Sequence, residues 1–177
     1  LDELVKVGLN PSDLTGVTLG ETDLQRTRDK GYTCHPYDMS FTLFPDEHFD
    51  YAIVRHALEH SPWPYLTLLE FNRIMKFGGR IYVEMPAPGG DRKLEDLPNH
   101  YSIMDGRMWG SLFYRAGFDF RRGTYPVKIE VEGKSLAEPY DWYILTRLLD
   151  RRDLAPADDA FMMTLAQRLR DARKLLS

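Results

Sequence analysis

Five consecutive residues, His56-Ala57-Leu58-Glu59-His60, bring together two imidazoles and a carboxylate. On one continuous helix the spacing H-x-x-E-H sets both histidines on a single face. There they can hold zinc while the glutamate activates a water for peptide hydrolysis. Here the five residues follow an apolar run of strand length, and Ser61-Pro62-Trp63-Pro64 breaks any helix directly after them. No downstream glutamate is obviously placed as a third ligand. The expectation is a loop with no metal site, and a zinc metallopeptidase using His56, Glu59 and His60 stays as an alternative. Outside this cluster, His100 and Glu84 join His56 as groups able to accept a proton.

The stretch Phe44 to Pro88 positions these side chains. Tyr51 to Val54 is an apolar run of buried-strand length, and Arg55 to Ser61 is a polar loop. Leu66, Leu69, Phe71, Ile74 and Met75 then recur at helical spacing. Lys76-Phe77-Gly78-Gly79 ends the helix, and Arg80 to Met85 is a second strand. A strand–helix–strand unit predicts parallel strands with a right-handed crossover. Ligands of such sheets bind outside the carboxyl ends of the strands. That puts Arg55-His56 and Pro86-Ala87-Pro88 on one rim.

The order and spacing of these pieces resemble the second half of a class I S-adenosylmethionine (SAM)-dependent methyltransferase, of the kind called methyltransferase type 11. The residues that carry the resemblance are Pro45-Asp46, Phe49-Asp50, Leu58-Glu59-His60, and Arg73-Ile74-Met75-Lys76-Phe77-Gly78-Gly79, with Phe77 where the family usually has proline. It runs from about Leu1 to Phe118. It implies an α/β, Rossmann-like fold, a mostly parallel sheet with terminal antiparallel strands. It also implies methyl transfer from SAM to a small or medium-sized acceptor, with a non-catalytic binding module of the same fold as the second reading.

The resemblance also implies site residues. Thr18-Leu19 stand where many members carry an acidic residue for the ribose of SAM. Asp38 stands where an acidic residue accepts a hydrogen bond from the adenine amino group, with Met39 packing on the ring. Arg55 and His56 line the cofactor side of the crevice. His60, Pro86, His100 and Tyr101 are candidates for the acceptor side, and His56 and His100 for a catalytic base. The family's first strand and its glycine-rich turn, roughly G-x-G-x-G, find no counterpart, because Gly8, Gly16 and Gly20 are too widely spaced. The expectation is a chain incomplete at its N-terminus, lacking the first strand, with a gap in the sheet and a possible homodimer.

The rest of the chain supplies the other elements. Leu1 to Val7 reads as a helix end closed by Gly8, Leu14 to Leu19 as a strand, Glu21 to Lys30 as a helix closed by Gly31, and Tyr32 to Tyr37 as a strand. Gly89 to Pro98 is polar and reads as a mobile lid over the rim. Ser102 or Asp105 caps a helix to Arg115 with Met108, Leu112 and Phe113 on its apolar side. Phe118 to Phe120, Tyr125 to Val131 and Trp142 to Leu149 read as strands. Tyr65, Trp63, Trp109 and Tyr114 are core candidates before they are a substrate wall. Residues 1–150 form one domain, and 151–177 hold a C-terminal helix, Asp158 to Leu176, packed on it.

The chain's 177 residues suffice for one core. A net charge of −4 gives no general reason to expect nucleic acid or an anionic membrane, and Arg121-Arg122 and Arg151-Arg152 are only short basic pairs. The single cysteine, Cys34, rules out an internal disulfide framework, and a reducing cytoplasm is the expected location.

Overall fold

The computed structural model describes residues 1–153. Helix α1 spans Asp2–Lys6, strand β1 Thr15–Val17, α2 Glu21–Asp29, β2 Thr33–His35, β3 Phe49–Arg55, α3 Pro64–Ile74, β4 Met75–Pro86, α4 Gly106–Arg115, β5 Phe118–Val131 and β6 Lys134–Arg147. The predicted C-terminal helix at 158–176 lies outside the described residues. No helix among the described residues is long and apolar enough to cross a membrane.

The strands form two sheets, a parallel β1–β2 pair and a four-stranded sheet in the order β3-β4-β6-β5. β3 and β4 are parallel, joined across α3, while β4–β6 and β6–β5 are antiparallel. Pro62 and Pro64 explain the start of α3, since a proline at the first helical position needs no backbone N–H. The core lies between α3, α4 and the larger sheet. Leu58, Leu68, Ile81, Trp109, Phe113 and Tyr143 are all fully buried there.

β3 departs from the expected buried strand. Ala52 and Val54 pack against the core, but Tyr51 is 75% and Ile53 54% exposed. The run is apolar on both faces, yet among the described residues β3 pairs with β4 alone and its second face is open. The predicted helix end also shifts. α3 stops at Ile74, and Met75 already pairs with Phe49 in the sheet. Lys76–Gly79 form an irregularity in β4 between the pairs Phe49–Met75 and Tyr51–Arg80. A Cβ at Gly79 would lie 2.8 Å from the Lys76 carbonyl oxygen, which explains the glycine there.

The three predicted C-terminal strands are one long hairpin. Gly123 interrupts the strand pattern between Phe120 and Tyr125 because the Trp142 ring fills the space its side chain would occupy, 2.6 Å from an ideal Cβ. Glu132 and Gly133, with φ of 50° and 75°, make the tight reversal that such hairpins favour. In α4 the Asp105 side chain accepts from the N–H groups of Arg107 and Met108, at 2.8 and 2.9 Å. Ser102 caps nothing; its hydroxyl donates to the Ser61 carbonyl at 2.8 Å. From that start Trp109, Phe113 and Ala116 face the core, and Met108 is 54% exposed instead of apolar-side. Trp109 and Tyr65 belong to or pack on the core, whereas Trp63 and Tyr114 are exposed.

One glycine predicts a sizeable effect. Gly117 has φ of 84°, and an ideal Cβ would sit 2.8 Å from both the Asn72 amide nitrogen and the Leu149 carbonyl oxygen. Asn72 there donates to the carbonyls of Ala116 and Leu149, joining α3 to the ends of α4 and β6. Gly117→Ala is expected to lower stability by about 1–3 kcal/mol. An unchanged denaturation midpoint would show that this junction yields.

Candidate functional site

The loop after β2 and the loop after β3 meet at one end of the molecule. The Ser40 hydroxyl shares a hydrogen bond of 2.7 Å with that of Thr67, and Ser61 shares another of 2.7 Å with the same atom. Thr67 lies in the first turn of α3, so the helix start clamps both loops. A ring cluster of His35, Tyr37, Phe44, His48 and Phe49 fastens the small sheet to β3. Arg55-His56 and Pro86 stand at the carboxyl ends of the parallel strands β3 and β4, and Asp38-Met39 lie in the loop after β2 that Thr67 ties to the loop after β3.

Asp38 Oδ1 accepts from the Ser40 N–H at 2.7 Å, which fixes the carboxylate in a short turn. Met39 is half-buried and packs on the core edge. After β1, the Thr18 hydroxyl accepts from the Gly20 N–H at 3.1 Å, and Leu19 is 69% exposed.

Arg55 and His56 converge on Glu84, and this grouping was only half visible in the sequence. The Arg55 Nε–H donates to Glu84 Oε1 at 2.6 Å, and His56 Nε2 lies 3.2 Å from the same oxygen. The Tyr82 hydroxyl donates to Oε2 at 2.6 Å, and the Tyr125 phenol also acts on the carboxylate. Burial pulls the Glu84 carboxyl upward, but Tyr82, Arg55 and Tyr125 outweigh it and hold it below the usual carboxylate range. Glu84 is thus an acceptor hub and a poor base. Burial, then Glu84 itself, pushes the Tyr82 phenol up to about 12. The phenols escaped sequence reading because Tyr82 and Glu84 reveal a shared face only once β4 is known to be a strand, and Tyr125 arrives through the hairpin register.

His56 sits in the left-handed region at φ 48°, its N–H donating to the Glu84 carbonyl at 2.9 Å. A side chain there costs on the order of 1 kcal/mol or more. Its ring meets Tyr140 edge-on at 4.9 Å between centroids. Burial and then the Arg55 cation hold its pKa below the ordinary histidine value. An imidazole titration followed by NMR should therefore show a midpoint below about 6.5, and Arg55→Leu should raise it. A midpoint above that value would mean the Glu84 charge dominates. The linkage has a definite sign. The unfolded chain binds the proton more readily, so this contribution to stability is present above the unfolded pKa and falls as pH drops toward the folded one.

The zinc-peptidase arrangement does not form. His56 directly follows β3, while Leu58–His60 is a single tight turn, so the three residues share no helix face. Instead His60 meets His100, with ring centroids 4.7 Å apart, beside the buried Glu59. Burial pushes the Glu59 carboxyl up. Tyr101 is 63% exposed, and its N–H donates to the Glu59 carbonyl at 2.9 Å. Pro86 is buried at the end of β4, opposite Tyr140.

The expected mobile lid is fastened down. Asp91 exchanges bonds with Ala137 in β6, its N–H donating at 3.1 Å and its carboxylate accepting at 2.7 Å. The Arg92 N–H donates to the buried Glu138 at 2.7 Å, and its guanidinium donates to the Tyr140 hydroxyl at 3.0 Å. Leu94 is buried. The polar residues that suggested a solvated loop are the ones that pair with β6.

Residues 2–83 match a family model described as a methyltransferase domain. No curated protein matches the sequence. Among solved structures, the chain is similar to a putative methyltransferase from Bacillus halodurans, at 16% identity and a TM-score of 0.61 over 76% of this chain and 83% of that one. It is also similar to a SAM-dependent methyltransferase from Thermotoga maritima described as a possible histamine N-methyltransferase, at 19% identity and a TM-score of 0.62 over 75% and 72%. The [4+2]-cyclase SpnF shares the fold at 15% identity and a TM-score of 0.63 over 83% and 71%. The α/β architecture and the matched domain make the chain similar to class I SAM-dependent methyltransferases, proteins whose cofactor is SAM.

Proposed function

We propose that this chain binds SAM at the rim and directs its methyl group to a small or medium-sized acceptor in the cytoplasm. The observation that carries the reading is the setting of Asp38. Its carboxylate is held by the Ser40 N–H, while Oδ2 has no bond among the described residues and is left to accept from an amino group. The loop that carries it is clamped through Thr67 to the loop after β3. Thr18 offers its hydroxyl proton, since its oxygen already accepts from Gly20. Leu19 and Met39 supply apolar contact, and Arg55 shapes the wall while paired with Glu84.

SAM supplies an already activated methyl group, so positioning contributes much of the rate. A base is needed where the acceptor must lose a proton. His56 suits that role, because its lowered pKa keeps the imidazole neutral near pH 7. His100 is the second candidate. His60, Pro86, His100 and Tyr101 flank the acceptor side. The open edge of β3 suits pairing with a second copy, and light scattering that finds only monomer would remove that part.

Calorimetric titration with S-adenosylhomocysteine, the demethylated product, tests the reading. Micromolar binding is expected, and no binding by this chain would overturn it. A second reading is a non-catalytic binding module of the same fold. Binding without turnover across a panel of amine, hydroxyl and carbon acceptors would select it.

A further inference from the structure

We propose that Glu59, His60 and His100 form a binding site for one divalent transition-metal ion, with zinc the best match. One ligand atom from each residue lies within 4.8 Å of those of the other two. Zinc ligands at about 2.0–2.2 Å in a tetrahedron stand roughly 3.3–3.5 Å apart, so small side-chain rotations close the set.

Three independent features point at a cation. First, Nδ1 of His60 lies 2.7 Å from the Asn99 carbonyl oxygen, and Nδ1 of His100 lies 2.8 Å from that of Leu94. A carbonyl oxygen only accepts, so both Nδ1 atoms carry the proton and both Nε2 atoms present a lone pair. Metal-binding histidines are oriented by this kind of outer hydrogen bond. Second, Glu59 is 1% exposed, and its Oε2 has no hydrogen-bond partner among the described residues. A buried carboxylate oxygen without a partner is costly, and a metal ion is the partner it lacks. Third, the frame is built before any ion arrives. The N–H groups of Tyr101 and Ser102 both donate to the Glu59 carbonyl, at 2.9 and 3.0 Å, and hold the two loops together.

The site differs from the sequence motif that first suggested zinc. His56 turns to Glu84, and His100, forty positions on from His60, takes its place. Two imidazoles and one carboxylate suit zinc, and three protein ligands leave a fourth position for water or an acceptor heteroatom. Both histidines are half-buried, so the ion has a way in. Bound there, it would staple the segment after β4 to the loop after β3. The site does not depend on SAM binding.

The test uses the whole chain stripped of metal by chelator and dialysis. Zinc is titrated against a chromogenic chelator, and cobalt is added separately to read coordination from its visible absorption. The expected result is one ion per chain at micromolar affinity or tighter, a tetrahedral cobalt spectrum, and a rise in melting temperature with zinc. His60→Ala and His100→Ala should each weaken zinc at least about 100-fold and abolish the thermal shift, with circular dichroism unchanged. His56→Ala, which removes a ring 3.8 Å from Glu59 Oε1 but no ligand, should weaken zinc far less than either. Wild-type binding weaker than millimolar overturns the proposal. So does affinity that survives His100→Ala, or affinity that His56→Ala destroys equally.

Discussion

Glu70→Ala is expected to lower the unfolding free energy by about 3–5 kcal/mol. Glu70 is 1% exposed, and both its oxygens are fully engaged. Oε1 accepts from the Thr42 N–H at 2.8 Å, the Thr42 hydroxyl at 2.7 Å and Arg73 at 2.8 Å, while Oε2 accepts from the Arg73 Nε–H at 2.9 Å. Alanine leaves the Arg73 guanidinium, itself 6% exposed, with the Phe44 carbonyl, two long bonds to Thr42 and the largely exposed Asp46. A buried cation stripped of its main partner carries a far larger penalty than a broken surface pair. The loop from Asp38 to Asp46 should loosen as well, since Thr42 loses both its bonds to Glu70 and keeps only the two longer ones from Arg73, at 3.4 Å. Urea unfolding would report the loss as a lower midpoint at constant slope. A loss below about 1 kcal/mol, the range of exposed pairs, would show that water replaces Glu70.

The second large effect falls on binding. Asp38→Ala should weaken S-adenosylhomocysteine by about 10–100-fold, the worth of a hydrogen bond to a charged group. Part of that could come from the turn, because Ser40 loses its acceptor too. Asp38→Asn separates the two causes. Its amide oxygen can keep the Ser40 bond, but its NH2 then faces the ligand's amino group, donor against donor. Calorimetry should find both variants weak and melting temperatures nearly unchanged for Asp38→Asn. Wild-type affinity in Asp38→Asn would remove Asp38 from the cofactor site.

Much of this architecture is legible in local chemistry. Pro62 and Pro64, the apolar spacing from Leu66 to Ile74 and the return at Arg80 to Met85 mark a crossover, and the crossover marks the rim. Asp105 caps α4 as its residue type predicts. Other features are hidden for identifiable reasons. Apolar periodicity cannot say that Tyr51 and Ile53 lie on an open face, because that depends on what packs there. Gly123 looks like a break in a strand until Trp142 is found filling its space. The lid reading failed because Asp91 and Arg92 look solvated in sequence, while their partners Ala137 and Glu138 are more than forty residues away.

What the sequence determined by itself is whatever depends on neighbours along the chain: helix starts and stops, strand identity, and the loops that end at the rim. The tertiary structure alone decided which side chains meet. It set the His56 ring between Glu84, at 3.2 Å, and Glu59, at 3.8 Å, through a left-handed backbone at the end of β3. It brought His100 to His60, because the Glu59 carbonyl captures the N–H groups of Tyr101 and Ser102. Side-chain chemistry acts over a few ångströms, and in this chain those ångströms are spanned by hydrogen bonds between segments that sequence spacing does not relate.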